Sequence, residues 1–317
     1  HKHGISCEAR QSGWIRAAHG SRAAREFTAQ CESWQRAGIK IDIVDKATLA
    51  DRAGTEFFGM GAIVPGGGCI QPLSYARGLL RVCLAAGVKV YSKSRVTGLA
   101  REGGKWLATT QDGSVRASNV VLCTNGYTDR LWPGLAQTIV PVVSVQLATE
   151  PLSDNIRGSM LRGGETISDT RRLIYYGRFD AAGRFLLGSI GSKATFADAA
   201  QYTRTRREAV RIFPQLADVR WAEQWCGYIA VTKDHLPHMH EPAPGVLAGL
   251  GFNGRGVAMS GVMGRALARR LLGAAEQDLP IPITGFDRFP LHAFHRLGVS
   301  ASLAWYGLRD RLEVRAG

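Results

Sequence analysis

After Ser21, which reads as a helix N-cap, apolar residues recur at Ala24, Phe27, Cys31 and Trp34 until Gly38 interrupts them. Positions three and four apart share one face of a helix, so this spacing predicts a surface helix with a single buried stripe. Residues 59–72, GMGAIVPGGGCIQP, break the pattern and read as a glycine-rich loop; with no Lys-Ser/Thr ending, it is not a phosphate-binding P-loop. The next elements are a helix over 72–86 closed by Gly87, a strand over 88–91, a strand pair turning at Asp112-Gly113, and an apolar strand over 119–123. Such alternation suggests a layered α/β unit, in which VVLC runs into the polar turn Thr124-Asn125-Gly126.

Beyond residue 140 the period changes to two. VVSVQLATE, RRLIYYGRF and GRFLLGS alternate in polarity, with Ala182-Gly183 between the last two, and predict an antiparallel sheet. On RRLIYYGRF the alternation sets Arg171, Leu173 and Tyr175 against Arg172, Ile174 and Tyr176. A helix over 197–213 ended by Pro214 and a strand over 227–232 follow.

Residues 244–273 read as a short apolar strand, a glycine-dense turn, and a helix that reaches Gly273. Glycines there allow close approach of backbone, and free N–H groups at the helix start favour an anion or an electron-rich cofactor edge. Gly249, Gly251 and Gly254 spell GxGxxG, but a dinucleotide unit needs a second strand ending in an acid. Here Glu276 and Asp278 lead instead into the proline-broken LPIPITGF.

The chain has 317 residues, 45% hydrophobic and 21% charged, as in ordinary globular proteins. No apolar run approaches the ~20 residues of a membrane span. The net charge of +14 invites a nucleic-acid partner, yet the arginines are scattered and no nucleic-acid-binding motif accompanies them, so none is expected. Six cysteines form no CxxC pair and mostly lie in apolar runs, which reads as reduced core residues in the cytoplasm. His235, His238 and His240 fit no helix face and are interrupted by Pro237, so no metal site is expected. The absence of G-x-S-x-G gives no support to a serine hydrolase.

The stretch WCGYIAVTKDHLPHMHEPAPGVLAGLGFNGRGVAMSGVMGRALA resembles the C-terminal flavin segment of FAD-dependent oxidoreductases of the D-amino acid oxidase type. GGGCIQPLSYARGL, VVLCTNGYTD and SDTRRLIYYGRF extend the likeness over most of the chain, most closely to γ-glutamylputrescine oxidase-like members. The resemblance implies an α/β (α+β) fold: an incomplete Rossmann-like FAD-binding domain with an inserted antiparallel substrate-binding sheet covering the flavin ring. It places the FAD domain at 1–137 and 236–275, the substrate sheet at 138–235 and a C-terminal extension at 276–317. Cofactor contacts are then expected at Val96, at Thr124, Asn125 and Gly126, and in the turn Gly251, Phe252, Asn253, Gly254, Arg255, Gly256 and Val257. Substrate contacts are expected on the strand carrying Arg171, Tyr175 and Tyr176. Its implied chemistry is oxidation of an amine or amino acid by hydride transfer to flavin, with O₂ or another acceptor completing the cycle.

The family's N-terminal strand-GxGxxG-helix unit has no counterpart here, and the sequence opens on His1, so the chain reads as a truncated member. Gly227 stands where sarcosine-oxidase-like members carry a flavin-linking cysteine, and Ala258 where they carry a substrate-binding lysine. FAD is therefore expected to be non-covalent and the substrate not to be sarcosine. Two alternatives stay open at this point: a non-catalytic remnant that binds a partner, and a nicotinamide-dependent dehydrogenase using Gly249, Gly251 and Gly254.

Overall fold

The computed structural model describes residues 3–191 and 199–315. In chain order its elements are β1 (Trp14–Ala18), α1 (Ser21–Arg36), β2 (Asp42–Val44), α2 (Lys46–Ala53), β3 (Met60–Val64), α3 (Pro72–Ala85), β4 (Val96–Glu102), β5 (Lys105–Thr110), β6 (Ser114–Ala117) and β7 (Val120–Leu122). They continue with β8 (Val140–Pro151), α4 (Asp154–Ser159), β9 (Thr166–Asp169), β10 (Tyr175–Phe179), β11 (Arg184–Ile190), α5 (Ala199–Ile212), β12 (Trp221–Val231), β13 (His238–Ala243), β14 (Val246–Leu250), α6 (Gly256–Leu271) and α7 (His295–Arg315). The chain forms two compact units of mixed α/β structure, 1–87 with 143–227 and 299–317, and 88–142 with 228–298.

The first unit is built on an eight-stranded sheet in the order β12-β8-β11-β10-β9-β1-β3-β2. Its strands pair antiparallel from β8 to β9 and from β1 to β2, but β1 pairs with β9 in parallel, Ile15 opposite Ile167. This pairing sets β1 and β3 on the sheet of 143–227, and residues 1–87 pack in the same unit. It also corrects the glycine-rich segment, where residues 60–64 are strand β3 rather than loop. Gly61 has backbone and Leu49 where a Cβ would stand, so a small residue lets the strand pass. One face of the sheet buries Ile15, Ala17, Ile167, Tyr175, Phe185 and Leu187 against α2 and α5. On the other, α1 packs Phe27 and Cys31 against Ala18 and Ala62, as its apolar stripe requires.

The second unit holds two three-stranded sheets, β4-β5-β6 and β13-β14-β7. In the latter β14 runs parallel to β7, pairing Ala248 with Leu122, and is buried throughout. Trp106, Leu122, Leu135, Ala230 and Val246 form one cluster, and α6 packs Met263, Ala266 and Leu267 onto Leu247 and Met239 in another.

Helix α3 ends as expected, with Gly87 at φ +84°. The expected strand at 88–91 is absent; Val88, Val90 and Tyr91 are half or more exposed, with no partner strand among the described residues. The helix expected over 197–213 is α5, and residues 197 and 198 lie outside the described residues. Only Cys7 and Cys31 are buried, and Cys83 and Cys123 are exposed, which corrects the reading of most cysteines as core.

Candidate functional site

In the second unit, β14 ends at Leu250 and the backbone turns sharply: Gly251, Asn253 and Gly254 have φ of +79°, +50° and +83°. A Cβ on Gly251 would also lie 2.4 Å from Thr232 Cγ2, so both conformation and space require glycine. Three side-chain links hold the turn. Asn125, itself at φ +41°, accepts from the Gly251 N–H at 3.0 Å. Asn253 donates to the Thr232 hydroxyl at 3.0 Å and accepts from the Thr232 N–H at 3.0 Å. Arg255 donates to the His235 carbonyl at 2.9 Å, so its guanidinium is turned back onto the loop before β13.

The turn delivers the chain into α6, whose first turn has no side-chain cap and no acidic residue. Val257, in that first turn, is 55% exposed. The first N–H groups of a helix lack intrahelical acceptors and carry the positive end of the dipole. Here that end is open, and it suits an anionic or electron-rich ring edge. The structure thus gathers Thr124, Asn125 and Gly126 beside residues 251–257. Gly126 lies against the Tyr228 carbonyl, where a Cβ would stand 2.7 Å from the oxygen. Val96 opens β4 in the separate β4-β5-β6 sheet, opposite Thr110. After α6, Ile283 meets Met239 in a lone parallel bridge. Among the described residues no second strand follows the helix to complete a dinucleotide unit.

In the first unit, Tyr175 and Tyr176 face opposite ways. The Tyr176 hydroxyl accepts from Gln146 Nε2 at 2.6 Å and donates to Ser144 Oγ at 2.8 Å. Burial pushes its phenol above the ordinary value, which keeps it a neutral donor. Ser168 stands opposite Tyr176 in register and accepts from Trp14 Nε1 at 2.9 Å, so Ser144, Gln146, Ser168, Tyr176 and Trp14 make one polar face. Arg16, two residues along β1 from Trp14, continues it. Tyr175 and Arg171 lie on the reverse side, Tyr175 in the core and Arg171 ion-paired to Asp169 and Glu208. The three expected substrate residues are therefore split between two faces.

Beyond Arg16 is a cavity of about 340 Å³, lined in part by Arg16, His19, Gln30, Thr170, Arg172 and Glu313. That volume falls within the ~300–1,000 Å³ of small-molecule sites. The Arg16 guanidinium lies 5.0–5.3 Å from the ring centroids of Trp14, Phe27 and Trp34. Among the described residues Arg16 is in no ion pair, and its buried Nε has no acceptor. Desolvation lowers its pKa, yet a guanidinium stays charged at neutral pH. Sequence reading missed Arg16 because it sits in an unremarkable WIRAA strand. Ser144 and Gln146 were legible as a shared face of VVSVQLATE, whereas nothing in YIAVTKD singled out Thr232.

His19, Asp310 and Glu313 bring three ligand-type atoms within 4.8 Å of one another. Arg172 bonds both carboxylates, at 3.1 and 2.8 Å, and Arg309 pairs with Glu313 at 3.4 Å, so two guanidiniums balance the two charges. Of the histidines in DHLPHMHEP, His238 meets Asp234 at 3.1 Å and stacks on His240, whose Nδ1 bonds the Thr284 carbonyl. Although desolvation acts upward, the Leu236 N–H and His238 bring the Asp234 carboxyl down to about 2.

The sequence profile of FAD dependent oxidoreductases matches residues 1–270. The probable oxidoreductase OrdL of Haemophilus influenzae is 29% identical over 281 residues, 87% of this chain and 64% of that protein. The chain thus spans less than two-thirds of the length of that relative. The gamma-glutamylputrescine oxidoreductase of Escherichia coli is 27% identical over 98% of this chain and 73% of its own. The crystal structure of glycine oxidase from Geobacillus kaustophilus superposes with a TM-score of 0.73, covering 90% of this chain and 75% of that one, at 19% identity.

Proposed function

The chain belongs to the family of FAD dependent oxidoreductases, and from that premise we propose that it serves the flavin-dependent oxidation of an amine or amino acid. The observation that carries the reading is the turn at 251–257, which opens an uncapped helix beside Asn125. Its residues suit FAD: a Cβ at Gly254 would meet nothing within 4 Å, so the turn leaves room there, and the open N–H groups of α6 match the pyrimidine edge of a flavin. Bound there without a covalent link, the cofactor supplies the removal of a hydride from the carbon next to the substrate nitrogen, leaving an imine that water hydrolyses.

The chain's own residues have three tasks. The dipole of α6 favours negative charge at its N-terminus, and Asn125 and Asn253 hold the turn so that this field is fixed in advance. The face of Ser144, Gln146, Ser168 and Tyr176 offers neutral hydrogen-bonding groups to a polar substrate. Arg16, charged and caged by aromatics, supplies an anchor for a substrate carboxylate, the group common to amino acids and γ-glutamyl amines. The name of the Escherichia coli relative makes a γ-glutamylated diamine the first substrate to try.

The test is to add FAD to the purified chain, desalt it, record the visible spectrum, and then screen amines anaerobically for bleaching. Retained flavin bleached by an amine or amino acid supports the proposal. Flavin that washes out, or retained flavin that no amine bleaches, overturns it for this chain.

A further inference from the structure

On the α5 side of the large sheet lies a separate cavity of about 70 Å³, between the β9–β10 connection, α5 and the end of α7. One water needs ~10–15 Å³, so the space admits a carboxylate or phosphate group. Four of its lining side chains are arginines: Arg171, Arg204, Arg211 and Arg311. The two carboxylates that line it, Glu208 and Asp310, are already engaged. Glu208 accepts from Arg171 at 2.8 Å and pairs with Arg211 at 3.6 Å. Asp310 accepts from the Leu173 N–H at 2.9 Å and from Arg172 at 3.1 Å.

This leaves an excess of positive charge. Among the described residues Arg204 and Arg311 are in no ion pair; Arg204 donates from Nη2 to the Ile190 carbonyl, and its buried Nε has no acceptor. The Arg171 side chain is 5% exposed, lies 4.3 Å from the Tyr175 ring centroid, and leaves Nη2 without an acceptor. Arg211 and Arg311 reach solvent while Arg171 is buried, and guanidiniums brought together at such a boundary repel one another unless an anion joins them.

We propose that this cavity is an oxyanion site, on the sheet face opposite Tyr176, which takes a carboxylate or phosphate group between Arg204 of α5 and Arg311 of α7 over the buried Arg171. Planar guanidiniums match both groups through paired charge-assisted hydrogen bonds. Because the donors come from two helices and the β9–β10 connection, the anion ties α7 to α5, and occupancy stabilises the folded chain.

The proposal is tested by titrating the whole chain with inorganic phosphate and, separately, with succinate at constant ionic strength, following heat of binding and thermal midpoint. Saturable binding of either anion is expected, and the arm that saturates at lower concentration identifies the group. R204Q/R311Q should raise the apparent Kd about tenfold or more. Arg207→Gln, an exposed charge on α5 outside the cavity, should leave it unchanged. Arg311→Gln alone serves if the double variant does not fold, and should also weaken binding. Absence of saturable binding by both anions, binding unchanged in the arginine variants, or equal loss in Arg207→Gln overturns the site.

Discussion

At the scale of single residues, two side-chain arrangements yield direct expectations. Tyr176→Phe removes a hydroxyl that Gln146 and Ser144 both use, leaving polar groups short of a partner, which costs ~1–3 kcal/mol. Urea unfolding would register it as a lower midpoint with an unchanged slope. The second case is Glu313, whose carboxyl the Arg172 guanidinium holds at about 2, helped by His19. The folded-state value lies below the unfolded one of ~4.3. Its contribution is therefore full above pH ~4.3 and is lost as the pH falls through about 2. Glu313→Gln should lower stability at pH 7, and its deficit from wild type should shrink steadily in urea titrations between pH 5 and pH 3. A deficit that does not change with pH would show that the Arg172 link is not its source. Such side-chain pairings were not legible in the sequence, because Arg172 and Glu313 lie 141 positions apart.

At the scale of elements, local signals served well where one segment satisfies itself. The stripe of Ala24, Phe27, Cys31 and Trp34 became α1, and Gly87 and Gly273 ended α3 and α6 at positive φ. They failed where pairing decides: residues 60–64 became a strand through β1 and β2, while 88–91 found no strand to join. Helix α2 shows how tightly an element end is fitted. It is capped by Asp45, which accepts from the Thr48 N–H at 2.9 Å, and closes on Gly54 at φ +75°, where a Cβ would lie 1.9 Å from the Ser159 carbonyl oxygen. Asp45→Ala should cost ~1 kcal/mol. Gly54→Ala should cost more than the ~1 kcal/mol of left-handed strain alone, because backbone rather than a flexible side chain is in the way. Equilibrium denaturation that ranks the two variants the other way would contradict this account.

At the scale of the whole molecule, the cofactor reading predicts linkage. FAD should raise the thermal midpoint with concentration, by ~2.7 kcal/mol of stability at a hundredfold excess over its Kd. Gly251→Ala should abolish that dependence, since it disturbs the turn held by Asn125 and Thr232. A Gly251→Ala protein that folds and keeps the full FAD-dependent shift would remove the turn from the site. The glycine turn before α6, the helices with a clear stripe and the hairpin strands were legible along the chain because they rest on local periodicity and on residues close in sequence, and the family was legible through the resemblance of whole stretches to known members. Long-range packing set residues 1–87 with the large sheet, Tyr175 and Tyr176 on opposite faces, and Arg16 in an aromatic cage, hydrogen-bonded to Gln30 and in no ion pair among the described residues. The physical reason is that strand pairing, burial and charge compensation are settled by neighbours in space. β1 acquires its partner β9 across some 150 residues, and no window along the chain contains both.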